Sequence, residues 1–208
     1  MSNFLEGDPR EKRAREEKVR QIFERAGVIQ EGHFRLASGL HTSKFVEKTL
    51  IYPYTKDTSD LCEMIAQDFK DKDIGIVVAP AVGGVILSDK TATHLSRMNS
   101  REVLAVFVEK IEGRMRFRNN ELSELVEGKN ALIVDDVLTT GKSIRDIISA
   151  VQGVGGVVVG VAVLCNRGDV RPEDVGVDKI DALITLKLDL YKPEECPCCT
   201  RNEPLCIT

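Results

Sequence analysis

No apolar run in this 208-residue chain approaches the length needed to cross a bilayer, and its N-terminal stretch is dense in charge rather than signal-like. Positive charge is not in excess either. The net charge of −4, with no basic stripe and no DNA-binding helical pair, argues against general affinity for nucleic acid or membrane surfaces. A cytoplasmic protein is the expectation. Internal repeats and low-complexity linkers are missing, so one domain is expected over residues 1–208. No Ser-His-Asp or Cys-His arrangement stands out, which removes the usual covalent nucleophiles from consideration. The paired C-x2-C pattern of zinc sites is also lacking. Cys196, Cys198, Cys199 and Cys206 follow a C-x-C-C-x6-C spacing with no histidine nearby in sequence. A reduced, packed C-terminal turn is the expected state of these cysteines, with zinc or a disulfide as alternatives. Cys62 and Cys165 lie in apolar-periodic stretches and read as small core residues.

What is present is the composition of a soluble globular domain, 42% hydrophobic and 30% charged, and long enough to bury a full core. Asp8-Pro9 reads as a helix start, followed by a charge-rich helix with an apolar stripe at Val19, Ile22, Phe23 and Ala26, stopped by Gly27. The stretch from Gly32 to Pro53 alternates like a small hairpin. Strands and helices then alternate: helix Thr58–Phe69, strand Ile74–Ala79, helix Gly84–Arg97, strand Val103–Val108, a long polar segment Glu109–Gly128, strand Ala131–Asp135, helix Ser143–Val151 and strands Val157–Leu164 and Ala182–Leu188. This order implies an α/β fold, a Rossmann-like parallel sheet flanked by helices, with ligands at the carboxyl ends of its strands.

The densest signal is Ala131–Ile144, A-L-I-V-D-D-V-L-T-T-G-K-S-I. An apolar strand stops at two adjacent carboxylates, a loop of hydroxyls and glycine follows, and a helix begins. Unpaired N–H groups and the positive end of the helix dipole make that loop an anion cradle. The carboxylates cannot bind phosphate; they suit hydroxyls, or a metal ion that holds hydroxyls. A ligand with a phosphate at one end and a ribose diol at the other meets both demands.

This run resembles the phosphoribosyl-pyrophosphate (PRPP) signature of the type I phosphoribosyltransferases. The resemblance implies that fold, with a small N-terminal hood: helix and hood over about 1–56, core over about 57–190, and a Cys-rich tail over 191–208. It also implies that Asp135 and Asp136 hold the ribose hydroxyls. Thr139, Thr140, Gly141 and Ser143 wrap the 5′-phosphate with amides and hydroxyls. Val137, Leu138 and Lys142 complete the segment, the Lys142 side chain facing water. Ala81-Val82-Gly83, in a glycine turn where backbone amides approach an anion closely, looks like the family's pyrophosphate loop.

Gly32-His33-Phe34, Leu36 and Ser38-Gly39 resemble the N-terminal element of the orotate-specific branch. His33 is expected as a packing residue, and His41 or Lys44 as a cation for the pyrophosphate. Arg167, in Cys165-Asn166-Arg167-Gly168, matches an orotate-binding arginine, a bidentate fork for a carboxylate; Thr139 joins it at orotate. Many relatives carry Asp where this chain has Asn166. The polar segment after Phe107 matches a mobile basic loop that closes over the neighbouring subunit's PRPP. There Lys110 is retained as the catalytic cation, while Glu109, Gly113 and Met115 replace an arginine, a lysine and a histidine. Arg114, Arg116 and Arg118 are candidates to restore the charge. The implied activity is Mg²⁺-dependent phosphoribosyl transfer to orotate by a homodimer with shared sites, the Mg²⁺ held through PRPP rather than by direct protein ligands. A purine phosphoribosyltransferase and a non-catalytic PRPP- or nucleotide-binding regulator are the alternatives.

Overall fold

A computed structural model describes residues 9–36 and 38–207, and the chain divides into two compact units, residues 1–54 with 186–208, and residues 55–185. Helix α1 (Pro9–Arg25) opens the first unit, with Val19, Ile22 and Phe23 buried on its apolar stripe. The expected Asp8 cap lies outside the described residues. Strands β1 (Ile29–Arg35) and β2 (His41–Val46) form the antiparallel hairpin that the alternation predicts, with Phe34 and Phe45 rings 5.6 Å apart. The C-terminal tail belongs to the same unit. Its strand β9 (Leu205–Ile207) pairs in parallel with β1, and Tyr191 and His41 exchange backbone hydrogen bonds of 2.8 and 2.9 Å.

The second unit is a six-stranded sheet in the order β5-β4-β3-β6-β7-β8. Strands β3 (Ile76–Pro80), β4 (Leu104–Ile111), β6 (Asn130–Leu138), β7 (Val157–Asn166) and β8 (Ile180–Thr185) run parallel, and β5 (Arg114–Arg116) is antiparallel to β4. Both faces are covered, which is why the strands read as near-continuous apolar runs. On one face Ile76, Val78, Ala131, Ile133, Val161 and Val163 pack against Ile144, Ile147, Ile148 and Val151 of α5 (Lys142–Gly153). Burying each of these α5 side chains is worth about 1.5–3 kcal/mol, so the helix is anchored by its stripe rather than by propensity. Alternate strand residues point the other way, toward α2 (Thr55–Phe69) and α3 (Gly83–Asn99). Two glycines permit that contact: a Cβ at Gly160 would lie 2.5 Å from the Phe69 ring, and one at Gly84 2.9 Å from Ala79 Cβ. Cys62 and Cys165 are fully buried in this unit.

The long polar segment departs from expectation. Instead of a loop from Glu109 to Gly128, β4 runs on to Ile111 and turns back through Glu112 (φ 49°) and Gly113 (φ 80°) into β5. Positive φ at both central residues is the two-residue hairpin turn whose twist suits the strands. A short helix α4 (Asn120–Glu124) follows, its first turn capped by the Asn119 side chain accepting from the Leu122 amide at 3.0 Å. No helix of the described residues is long and apolar enough to cross a membrane.

Candidate active site

The sheet reverses its winding between β3 and β6, and their carboxyl ends border the crevice where such folds hold ligands. Four neighbouring strands, β4, β3, β6 and β7, end in Lys110, Ala81–Gly83, Asp135–Gly141 and Arg167 respectively. Chain order thus turns into a row of adjacent loops.

Strand β6 does not stop at the carboxylates. It continues through Asp135 and Asp136 to Leu138, and both acids are buried, with 7% and 2% of their surface exposed. Local backbone bonds set their orientation: Asp135 Oδ1 accepts from the Asp136 amide at 2.8 Å, and Asp136 Oδ1 from the Val137 amide at 2.7 Å. The loop Thr139-Thr140 is exposed, and Gly141 then caps α5 in the left-handed region (φ 74°). A Cβ at Gly141 would also meet Val175 at 2.6 Å, so backbone and space both select glycine there. The Lys142 side chain is exposed, as expected, and pairs with Asp146 at 2.7 Å one helical turn on. At that exposure the pair adds little stability.

The pyrophosphate-type turn follows β3. The Ala81 amide donates to the Val108 carbonyl at 2.8 Å, tying the turn to β4. The Ala81–Val82 peptide is cis, Val82 is exposed, and Gly83 starts α3. Glycine at 84 lets the first turn of α3 lie close on the end of β3, since a Cβ there would come 2.9 Å from both Ala79 Cβ and Pro80 Cδ.

At the end of β7 the structure shows what the sequence reading missed. The Arg167 and Gly168 amides both donate to the Leu138 carbonyl, at 2.8 and 3.2 Å, strapping the arginine loop onto the phosphate loop. A Cβ at Gly168 would fall on the Thr139 carbonyl, so this close approach admits only glycine. Asn166 closes the turn from the inside, donating Nδ2 to the Val170 carbonyl at 2.9 Å and accepting from the Val170 amide at 3.3 Å. An aspartate has no donor for the first of these bonds. Arg145 braces the same loop from α5, its Nη1 donating to the carbonyls of Thr140 (3.3 Å) and Asp174 (3.0 Å). The glycine after a strand-end arginine was the available signal for Gly168. Nothing local marks Arg145.

The β4–β5 hairpin changes the reading of the loop cations. Arg118 is turned onto Glu109, with Nε 2.9 Å from Oε2 and Nη2 2.6 Å from Oε1. This bidentate bond holds the Glu109 carboxyl below, and the Arg118 guanidinium above, its ordinary range. Arg118 is therefore occupied in neutralising Glu109. Lys110, Arg114 and Arg116 remain exposed on the hairpin, with Lys110 opposite Met115 and Ile111 opposite Arg114. Gly113, where the resemblance leads one to expect a lysine, has φ 80°, a backbone conformation that disfavours any side chain. Gly113→Lys is expected to lower stability by about 1 kcal/mol with no gain in kcat. A denaturant midpoint at or above the wild-type value would contradict this.

In the first unit, His41 is 4% exposed with Nδ1 3.3 Å from Cys199 Sγ, and Lys44 pairs with Glu31 at 3.2 Å. His41 is thus turned into a buried cluster. His33, expected to pack in the hood, is 4% exposed within the same cluster.

Residues 54–189 match the phosphoribosyl transferase domain family. The chain is 35% identical over 189 residues to the orotate phosphoribosyltransferase of Caldanaerobacter subterraneus subsp. tengcongensis, covering 91% of this chain and 94% of that one. Its fold is shared with orotate phosphoribosyltransferase from Aeropyrum pernix (TM-score 0.64, 24% identity, covering 81% and 93% of the two chains). It is shared also with the Mycobacterium tuberculosis H37Rv enzyme of that name solved with 5-phospho-alpha-D-ribosyl 1-diphosphate (TM-score 0.58, 22% identity, covering 85% and 94%). The parallel sheet, the acidic strand end running into a phosphate-sized loop, and these relatives agree: the chain belongs to the phosphoribosyltransferase family, and its curated relatives there are orotate phosphoribosyltransferases.

Proposed function

We infer that this chain transfers the 5-phosphoribosyl group from PRPP to N1 of orotate, releasing pyrophosphate and forming orotidine 5′-phosphate in pyrimidine nucleotide synthesis. One observation carries the reading: the Arg167 loop and the phosphate loop share the Leu138 carbonyl. That bond fixes the backbone of Arg167 next to the loop proposed to hold the ribose 5-phosphate, which supports a role for its guanidinium at the orotate carboxylate.

In this reading Asp135 and Asp136 accept hydrogen bonds from the ribose hydroxyls, fixing the sugar. Thr139, Thr140, Gly141 and Ser143 surround the 5′-phosphate at the start of α5, where amides and dipole favour an anion. The amides of Val82 and Gly83 face the pyrophosphate, while Ala81 holds their turn to β4 through the Val108 carbonyl. Arg167, with Thr139, orients orotate through its carboxylate. Donors at the end of β6 are oxygens only, two carboxylates and the loop hydroxyls, which suits a hard cation such as Mg²⁺ bound through the diphosphate. When bound, Mg²⁺ supplies positive charge against the departing pyrophosphate. Lys110 and Arg114 add to that charge from the hairpin, and Arg116 is a further exposed cation there. These groups act by charge, since an arginine does not give up a proton near neutral pH. Orotate enters as its carboxylate anion, and as N1 bonds to the ribose C1′ the N1 proton passes to the departing pyrophosphate or to water. The working unit in this proposal is a homodimer in which the hairpin reaches the neighbouring subunit's PRPP.

The test offers purified protein PRPP and Mg²⁺ with orotate, uracil, adenine, hypoxanthine or xanthine in turn, following pyrophosphate release. Turnover with orotate alone is expected. Turnover with a purine and not orotate overturns the assignment, and tight PRPP binding with no turnover points to a regulator. In the same assay Arg167→Ala is expected to raise the orotate KM by about 10–100-fold, the loss of a charge-assisted bond of about 1.5–3 kcal/mol, while the PRPP KM stays within about twofold. Equal effects on both would remove Arg167 from the base site.

A further inference from the structure

Four side chains in the first unit converge where the transfer reaction has no use for them. His33 on β1, His41 on β2, and Cys196 and Cys199 in the tail bring one ligand atom each within 4.8 Å of one another. His33 Nε2 lies 3.6 Å from Cys196 Sγ and 3.5 Å from Cys199 Sγ. His41 Nδ1 lies 3.3 Å from Cys199 Sγ and 2.9 Å from His33 Nε2. With Zn–S bonds of about 2.3 Å and Zn–N bonds of about 2.0–2.1 Å, a tetrahedral two-sulfur, two-nitrogen site has S···N edges of about 3.5 Å. The three S···N separations of 3.3, 3.5 and 3.6 Å match such edges.

The surroundings prepare the same set. His33 Nδ1 is 3.0 Å from the Glu203 carbonyl, which can only accept. That bond places the proton on Nδ1 and turns the Nε2 lone pair inward, as the outer hydrogen bond of a metal-bound histidine does. Cys198 lies outside the cluster, its sulfur accepting from Arg201 Nη2 at 3.5 Å. The chain thus sorts Cys196 and Cys199, a C-x2-C pair across a Cys196-Pro-Cys-Cys turn, from the two remaining tail cysteines. His33, His41 and Cys196 are buried and Cys199 is half-buried.

We propose that His33, His41, Cys196 and Cys199 bind a structural zinc ion that fastens the C-terminal tail to the β1–β2 hairpin. Four protein ligands close the coordination shell and leave no position for a substrate. Mixed nitrogen and sulfur donors in a tetrahedral arrangement favour zinc over the hard cation of the diphosphate. The ion joins residues 163 positions apart in the chain, as between Cys196 and His33, so its binding energy is folding energy for this unit.

The full-length protein, purified without chelator, is expected to hold about one zinc per chain by plasma mass spectrometry, as a closed four-ligand site requires. Replacing zinc with Co²⁺ is expected to give the visible bands of a tetrahedral ion and a sulfur-to-cobalt charge-transfer band, a readout that needs no variant. Cys196→Ser and Cys199→Ser should lower metal content by about tenfold or more, whereas Cys198→Ser and Cys206→Ser should leave it unchanged. If the serine variants do not fold, Cys199→His supplies a replacement ligand and should retain metal with a shifted cobalt spectrum. Three results overturn the proposal: reduced protein that takes up neither zinc nor Co²⁺, metal loss in Cys198→Ser equal to that in Cys199→Ser, or a Cys196–Cys199 disulfide found by peptide mapping under non-reducing conditions.

Discussion

The double substitution Asp135→Asn/Asp136→Asn is expected to lower kcat/KM for PRPP by about 5- to 1,000-fold while leaving the melting temperature unchanged or higher. The two halves of that result have separate causes. Hydrogen bonds to a charged acceptor are worth about 1.5–3 kcal/mol against about 1 for a neutral pair, so two carboxylates lost from the ribose site forfeit about 1–4 kcal/mol. The fold loses less, because the Asp136 and Val137 amides donate to Oδ1 atoms that asparagine retains. Two adjacent buried carboxylates also repel each other and resist desolvation, and neutral amides relieve both. Steady-state kinetics with a thermal melt on the same sample decides the matter. Activity and stability falling together would make the pair structural. Mixing this variant with Lys110→Ala extends the test to the proposed homodimer, in which a mixed pair regains one intact site only if Lys110 serves the neighbouring subunit.

Gly168→Ala is expected to be as severe, for a steric reason. The added methyl would occupy the position of the Thr139 carbonyl, and that obstacle is backbone that cannot rotate away. To accept it, the end of β7 must leave the Leu138 carbonyl, breaking the amide bonds from Arg167 and Gly168. Overpacking of this kind costs about 1–3 kcal/mol, which for a chain of this size lowers the melting temperature by about 2–12 °C. Function should suffer more than stability, because the strap holds the proposed orotate fork and phosphate loop together. Both the orotate KM and the PRPP KM are expected to rise by about tenfold or more, as a misplacement of about 1 Å at a reacting site does. The contrast with Arg167→Ala is diagnostic, since that change should move the orotate KM alone. Wild-type values for both substrates in Gly168→Ala would show that the strap has no part in the site.

How much of this was legible beforehand differs from residue to residue. Ala131–Ile144 was readable because its signals are local: an apolar run, two acids, a capping glycine in the left-handed region and a helical stripe lie within fourteen consecutive residues. Its end was misplaced, since a strand carrying two carboxylates gives no sequence cue that it continues to Leu138. The polarity of the segment after Phe107 predicts a loop, and Glu112-Gly113 is not one of the dipeptides that mark a two-residue hairpin, so the return of β4 into β5 is visible only in the fold. Arg118 was counted among the cations available to pyrophosphate. Only folding shows that it lies on Glu109.

The histidine and cysteine cluster lies at the far end of that range. Sequence inspection found no histidine near the terminal cysteines, and along the chain none is near. Parallel pairing of β9 with β1 closes the distance.

Sequence by itself determined the alternating strands and helices, the acidic strand end, the phosphate-sized loop and the glycines beside it, because each arises from interactions among residues a few positions apart. Tertiary structure alone decided which loops stand side by side, the contact of Gly168 with Thr139, and the meeting of His33 and His41 with Cys196 and Cys199. Those depend on strand order and long-range chain closure, in which partners are chosen by burial and hydrogen bonding across the whole fold rather than by neighbours in the chain.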